Sequence, residues 1–150
     1  MSYAELGAIV SELARGLVDL GLAPGDRVAL LCTTRVEWTY VDFAITAAGG
    51  VVVPVYPTNS ADECAWVIGN SESRFVVCED ASQVAKITAV RAELPLLEAV
   101  VSVEPGDGAL SLDALRERGR GRDAAEIAAR TAAVKPEDPY TIIYTSGTTG

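Results

Sequence analysis

Six consecutive residues, Thr145, Ser146, Gly147, Thr148, Thr149 and Gly150, follow a short apolar run that stops at Tyr144. Each is a glycine or carries a hydroxyl, so backbone N–H groups can approach an anion without a bulky side chain in the way. A loop of this kind leaving a strand is where α/β proteins place phosphate groups. It is not a Walker A loop, because no lysine follows Gly147. The chain has no histidine, which removes imidazole bases, histidine-centred triads and histidine metal ligands from it. Cys32, Cys64 and Cys78 are widely spaced, and no Cys-x-x-Cys is present, which argues against zinc.

The elements that would position this loop are written in alternation. Ser2-x-x-Glu5 is a capping box, and Leu6, Ile9, Val10, Leu13, Leu17 and Leu20 then recur at helical spacing up to Gly21. Val28–Cys32 is a strand, residues 36–48 a helix ended by Gly49-Gly50, and Val51–Val55 a β-branched strand. Ser60-x-x-Glu63 opens a helix to about Gly69, and Arg74–Cys78 is the next strand. Asp80 caps a helix to about Glu93, stopped at Pro95, and Ala99–Val103 follows as a strand. A short helix is expected near Leu112–Arg116 and a weaker one over Ala124–Ala133, before a last strand at Tyr140–Tyr144. Strands and helices alternating with short connections predict an α/β fold: a mostly parallel sheet flanked by helices.

Composition agrees with a chain that buries a core: 49% of residues are hydrophobic and 22% charged. A net charge of -9 disfavours nucleic acid as a partner. The basic tract Arg116–Arg122 reads as a solvated loop, since no aromatics interleave it. The apolar stretch from Phe43 to Tyr56 is too short and broken to span a bilayer. Thiols in apolar runs and no signal peptide point to the cytoplasm. Trp38 and Trp66 read as core aromatics.

Beyond these patterns, "YTSGTTG" resembles the start of the signature loop of the adenylate-forming enzymes, which include acyl-CoA synthetases, luciferases and peptide-synthetase adenylation domains. "SYAEL", "GLAPGDRVALL", "RVEW" and "GGVVVPVYPT" resemble that family's N-terminal region in the same order. The likeness runs from Ser2 to Gly150 and is weakest over Glu104–Lys135. Tyr56-Pro57-Thr58, Ser60 and Trp66 resemble the long-chain fatty acyl-CoA synthetase branch.

The resemblance implies the first part of the large N-terminal domain of that fold, residues 1–150 being a partial adenylation domain. It implies ATP, magnesium and coenzyme A, with a fatty acid as the acid substrate, and it allows peripheral membrane association of the intact enzyme. Thr145, Ser146, Gly147, Thr148, Thr149 and Gly150 would be phosphate-loop residues, and the Thr148 hydroxyl would help to hold magnesium. The loop's lysine, the nucleoside contacts, the acyl tunnel and the catalytic lysine of the family match nothing in this sequence. It therefore reads as the N-terminal fragment of a longer enzyme, inactive alone. Two alternatives stay open: a complete small α/β binding module, and the adenylation region of a carboxylate reductase or peptide synthetase.

Overall fold

The computed structural model describes residues 1–145. Five parallel strands form one sheet in the order β2-β1-β3-β4-β5: β1 Arg27–Leu31, β2 Val51–Val55, β3 Phe75–Cys78, β4 Ala99–Ser102 and β5 Leu110–Ser111. Among the described residues six α-helices precede, connect or follow them: α1 Tyr3–Asp19, α2 Val36–Ala47, α3 Ala61–Asn70, α4 Ala81–Ala89, α5 Leu112–Arg120 and α6 Ala124–Ala133. Side chains alternate across each strand, so the sheet divides its core in two. Val28, Leu30, Val52, Phe75 and Val77 face α1, α2, α5 and α6. Ala29, Leu31, Val53, Val76 and Cys78 face α3 and α4. Buried on both faces, these strands are near-continuous runs of valine, leucine and alanine.

Helix ends follow the local chemistry of the sequence. In both capping boxes the serine Oγ accepts from the glutamate N–H, at 3.3 Å for Ser2–Glu5 and 3.2 Å for Ser60–Glu63. The glutamates reach back to the serine N–H at 2.6 and 2.7 Å. α1 ends on Gly21 with φ +104°, and α2 on Gly49 with φ +84°. The third such ending has no glycine. α3 runs one residue past Gly69 and turns on Glu72, a non-glycine at φ 53°. There the Ser73 N–H donates to Ile68 O, and the Arg27 guanidinium grips the Glu72 carbonyl and carboxylate.

Three sequence expectations change. The helix after Asp80 ends at Ala89, and Arg91–Glu93 is a separate 3-10 turn. The tract Arg116–Arg122 is not a solvated loop, for α5 continues through it to Arg120. Gly119 lets the backbones of α1 and α5 touch, since a Cβ there would sit 1.8 Å from Glu12 O. A Cβ on Gly16 would sit 2.2 Å from Leu115 O. The arginines fan out on either side of this crossing, Arg116 and Arg120 to Glu12 at 2.8 and 3.2 Å, and Arg118 and Arg122 to Asp19 at 2.8 and 3.5 Å.

The expected last strand, Tyr140–Tyr144, is reduced to a single parallel bridge of Thr141 beside Val52. Val52 N–H donates to Tyr140 O at 3.1 Å, and Ile142 N–H donates to Val52 O at 2.9 Å. The next donor on that side of β2 would come from residue 54, which is a proline and has no N–H. Pro54 thus stops the ladder at Ile142, and since β1 occupies the other side of β2 the segment lies on the sheet's outer edge.

Gly119→Ala should destabilise the protein by about 1–3 kcal/mol, because α1 and α5 must part to admit the methyl group. Gly7→Ala, on the open face of α1 where a Cβ meets nothing within 4 Å, should stabilise it by about 0.5–1 kcal/mol. Urea unfolding of the two variants beside wild type measures both signs.

Candidate functional site

Because every strand is parallel, all of their carboxyl ends emerge at one edge of the sheet. The Tyr140–Tyr144 segment runs in the same direction, so Thr145 leaves at that edge, beside the end of β2. Thr145 is exposed. Ser146, Gly147, Thr148, Thr149 and Gly150 lie outside the described residues, and with them most of the expected cradle and the magnesium role of Thr148.

The segment that delivers the loop is held at both ends by its tyrosines. The Tyr140 hydroxyl donates to Asp42 Oδ2 at 2.6 Å, and Asp42, on α2, is only 5% exposed. This hydrogen bond, helped by burial and by the negative charge, pushes Tyr140 up to about 12. Thr141 Oγ1 donates to Val52 O at 2.9 Å. Ile142 and Tyr144 pack against the α3–α4 side of the core, and the Tyr144 hydroxyl donates to Asn70 Oδ1 at 2.7 Å.

Beside the loop, the turn Tyr56-Pro57-Thr58 leaves β2 and is pinned from α4. Lys86 Nζ donates to Pro57 O at 2.7 Å and to Asn59 O at 2.9 Å, and Gln83 Nε2 to Pro57 O at 3.3 Å. Asp80 caps α4 by accepting from the N–H groups of Ser82 and Gln83, and the Gln83 hydrogen bond leads in holding its carboxyl below the usual range.

Between β1 and β3 the strand order reverses, the place where open α/β sheets leave a crevice. Here that crevice is braced by charge. Glu79 accepts from Thr33 N–H at 2.9 Å and Thr33 Oγ1 at 2.7 Å, which lowers its pKa. Arg35 joins Glu37 at 2.7 Å, Glu104 at 2.8 Å and Glu79 at 3.4 Å, and its pKa is raised by the Glu37 and Glu104 hydrogen bonds. Burial pushes the Cys32 and Cys78 thiols up to about 12 and raises Cys64 as well, so none is a thiolate nucleophile at neutral pH. Among the described residues no group of three or more His, Cys, Asp or Glu side chains is placed to hold a metal. The described part of this edge thus holds the segment that leads to Thr145, while Arg35 and Lys86 are engaged in holding neighbouring turns.

Trp38 is half-buried against the α1–α2 side of the core, as a core aromatic should be. Trp66 is not a core residue: it is 60% exposed and meets Tyr144 edge to face, with centroids 5.3 Å apart. The inward face of α3 is taken by Cys64, Val67 and Ile68, whose i, i+3, i+4 spacing leaves Trp66 outside. Asp42, Asn70 and Lys86 escaped sequence reasoning. Each acts through one partner distant in sequence, and no local pattern announces that.

A parallel sheet with helices on both faces, from whose carboxyl edge Thr145 leaves, is a doubly wound α/β architecture. The particular family is defined by comparison: the model of the AMP-binding enzyme family matches residues 1–150, and the chain belongs to it. It is 42% identical over 150 residues to the long-chain-fatty-acid–CoA ligase FadD15 of Mycobacterium tuberculosis, covering 100% of this chain and 25% of that protein. A solved Mycobacterium tuberculosis fatty acyl CoA synthetase superposes with a TM-score of 0.78 at 30% identity, over 97% of this chain and 27% of that one. ATP-bound MatB from Rhodopseudomonas palustris superposes with a TM-score of 0.77 at 32% identity, over 100% of this chain and 28% of that one. The chain thus spans about a quarter of the length of the relatives it matches. No helix among the described residues is long and apolar enough to cross a membrane.

Tyr140→Phe should lower stability at pH 8 by about 1–3 kcal/mol, because the buried Asp42 carboxylate loses its donor. Tyr140 has its pKa raised on folding, so the part of this advantage that depends on the phenol's proton is complete below about pH 10 and is lost as pH rises towards 12. Denaturation curves at pH 8 and in steps from pH 10 to 12 should show the two proteins converging.

Proposed function

We propose that this chain is the N-terminal part of the adenylation domain of a long-chain fatty acid–CoA ligase. The observation that carries the reading is that the segment Tyr140–Tyr144, held beside Val52, delivers Thr145, the first residue of the glycine-and-hydroxyl sequence, to the carboxyl edge of a parallel sheet. Identity of 42% to a long-chain ligase supports the substrate class, and an ATP-bound relative supports the nucleotide.

In the proposed reaction a fatty-acid carboxylate oxygen attacks the α-phosphorus of ATP. A P–O bond to the acyl group forms, the bond to pyrophosphate breaks, and acyl-adenylate results. The thiolate of coenzyme A then attacks the acyl carbon and expels AMP, leaving a thioester. The attacking group and the phosphates are both anionic, so aligned donors must stabilise charge as it develops. The loop's N–H groups and hydroxyls would serve the phosphates beyond the α-phosphorus. Magnesium would neutralise phosphate charge; in this chain Thr148 is the residue assigned to it, and the described residues add no carboxylate set. The acyl, nucleoside and coenzyme A contacts would come from chain beyond these 150 residues. The buried thiols suit a reducing compartment, and we place the enzyme in the cytoplasm.

In the full-length ligase, Thr148→Ala should slow adenylation by on the order of 10²–10³ with little change in fatty-acid affinity. Single-turnover rates measure this, and a rate within about threefold of wild type would remove Thr148 from the site. Chain-length preference is read from a substrate panel running from acetate through palmitate to aromatic acids. Palmitate should lead it, and a clear preference for acetate or an aromatic acid would refute the long-chain assignment. Residues 1–150 alone should catalyse no ATP–pyrophosphate exchange.

A further inference from the structure

Tyr144 is the residue directly before Thr145, and the backbone ladder that anchors its segment has already ended at Ile142 because Pro54 offers no donor. Its side chain takes over. The Tyr144 ring meets Trp66 at an interplanar angle of 83°, and its hydroxyl reaches Asn70 at 2.7 Å. Trp66 and Asn70 stand four residues apart on α3 and so share one face of that helix. Both are exposed, while the core-facing stripe of α3 is complete without them. An indole left 60% in solvent adds little to the core, and an exposed amide at a helix end adds less. What the two side chains have in common is Tyr144.

We infer that Trp66 and Asn70 are positioning residues for the phosphate loop, forming a clamp on Tyr144 that sets where the loop leaves the sheet. The inference rests on the phosphate-binding reading above. Donors that stabilise developing charge act only if held in place beforehand, and a displacement of about 1 Å can cost about 10²-fold in rate. A tyrosine gripped by one ring and one hydrogen bond supplies that alignment at the point where the ladder does not.

The test is ATP–pyrophosphate exchange by the full-length ligase, with melting temperatures measured in parallel. Asn70→Leu and Trp66→Ala should each slow exchange by about 10-fold or more and raise KM for ATP. KM for the fatty acid should stay within about twofold, and the melting temperature within about 2 °C, because neither side chain belongs to the core. Asn70→Asp, which keeps an acceptor oxygen, and Trp66→Phe, which keeps a ring, should recover most of the rate. Tyr144→Phe added to Asn70→Leu should cost nothing further, since both remove the same hydrogen bond. Wild-type kinetics in Asn70→Leu and Trp66→Ala, or an Asn70→Asp as slow as Asn70→Leu, would overturn the clamp and leave the functional reading standing. A wild-type ligase without exchange would overturn the functional reading, and the clamp's role with it.

Discussion

Two parallel strands must be entered from the same end, so the chain has to travel back along the sheet before each new pairing. In this protein α2, α3 and α4 make those return journeys, and the strands they join end up buried on both faces. The rest follows from that requirement. Helices must cover both faces of the sheet, every turn that leaves a strand's carboxyl end collects at one edge, and the loop at Thr145 emerges among them. Open parallel sheets in general bind their ligands at that edge.

The layer opposite α3 and α4 is held by a different device. Two glycines let α1 and α5 approach until their backbones touch, and four arginines of residues 116–122 close over the seam onto Glu12 and Asp19. Exposed ion pairs taken singly contribute roughly 0–1 kcal/mol. Here they match the register of the backbones, since the crossing that seats Gly119 against Glu12 O brings Arg116 and Arg120 to the Glu12 carboxylate. A tract that would be a nucleic-acid signal in a basic protein is consumed in joining two helices of an acidic one.

Much of this was legible in the sequence, and the exceptions have physical reasons. Capping boxes and glycine endings are local chemistry, so α1, α2 and the start of α3 were readable, as were the β-branched strands. The end of α3 was not, because Glu72 takes a left-handed conformation that glycine usually signals and is held there by Arg27, 45 residues away. α5 outruns the short helix expected near Leu112–Arg116, because Gly119 does not end it but admits the close approach of α1. The strand expected at Tyr140–Tyr144 failed on a residue nearly ninety positions earlier, since its own β propensity is good and Pro54 withholds the partner. At the site, the loop's composition was plain, but the residues that seat it are long-range partners that only folding brings together.

That separation in sequence also bears on the order in which the molecule assembles. The hydroxyl of Thr141 bonds Val52 across 89 residues, and the segment docks on an edge of β2 that can be complete before Tyr140 is even synthesised. With the sheet and α6 in place, docking orders only the residues after Ala133, and it is secured by two main-chain hydrogen bonds and a few side chains. Such an attachment can open and close while the sheet beneath it stays intact, at a free energy well below that of global unfolding. Hydrogen exchange at the amides of Val52 and Ile142 would then report an opening that a melting curve never registers, and a folded sheet and a seated loop would be two events with two equilibrium constants.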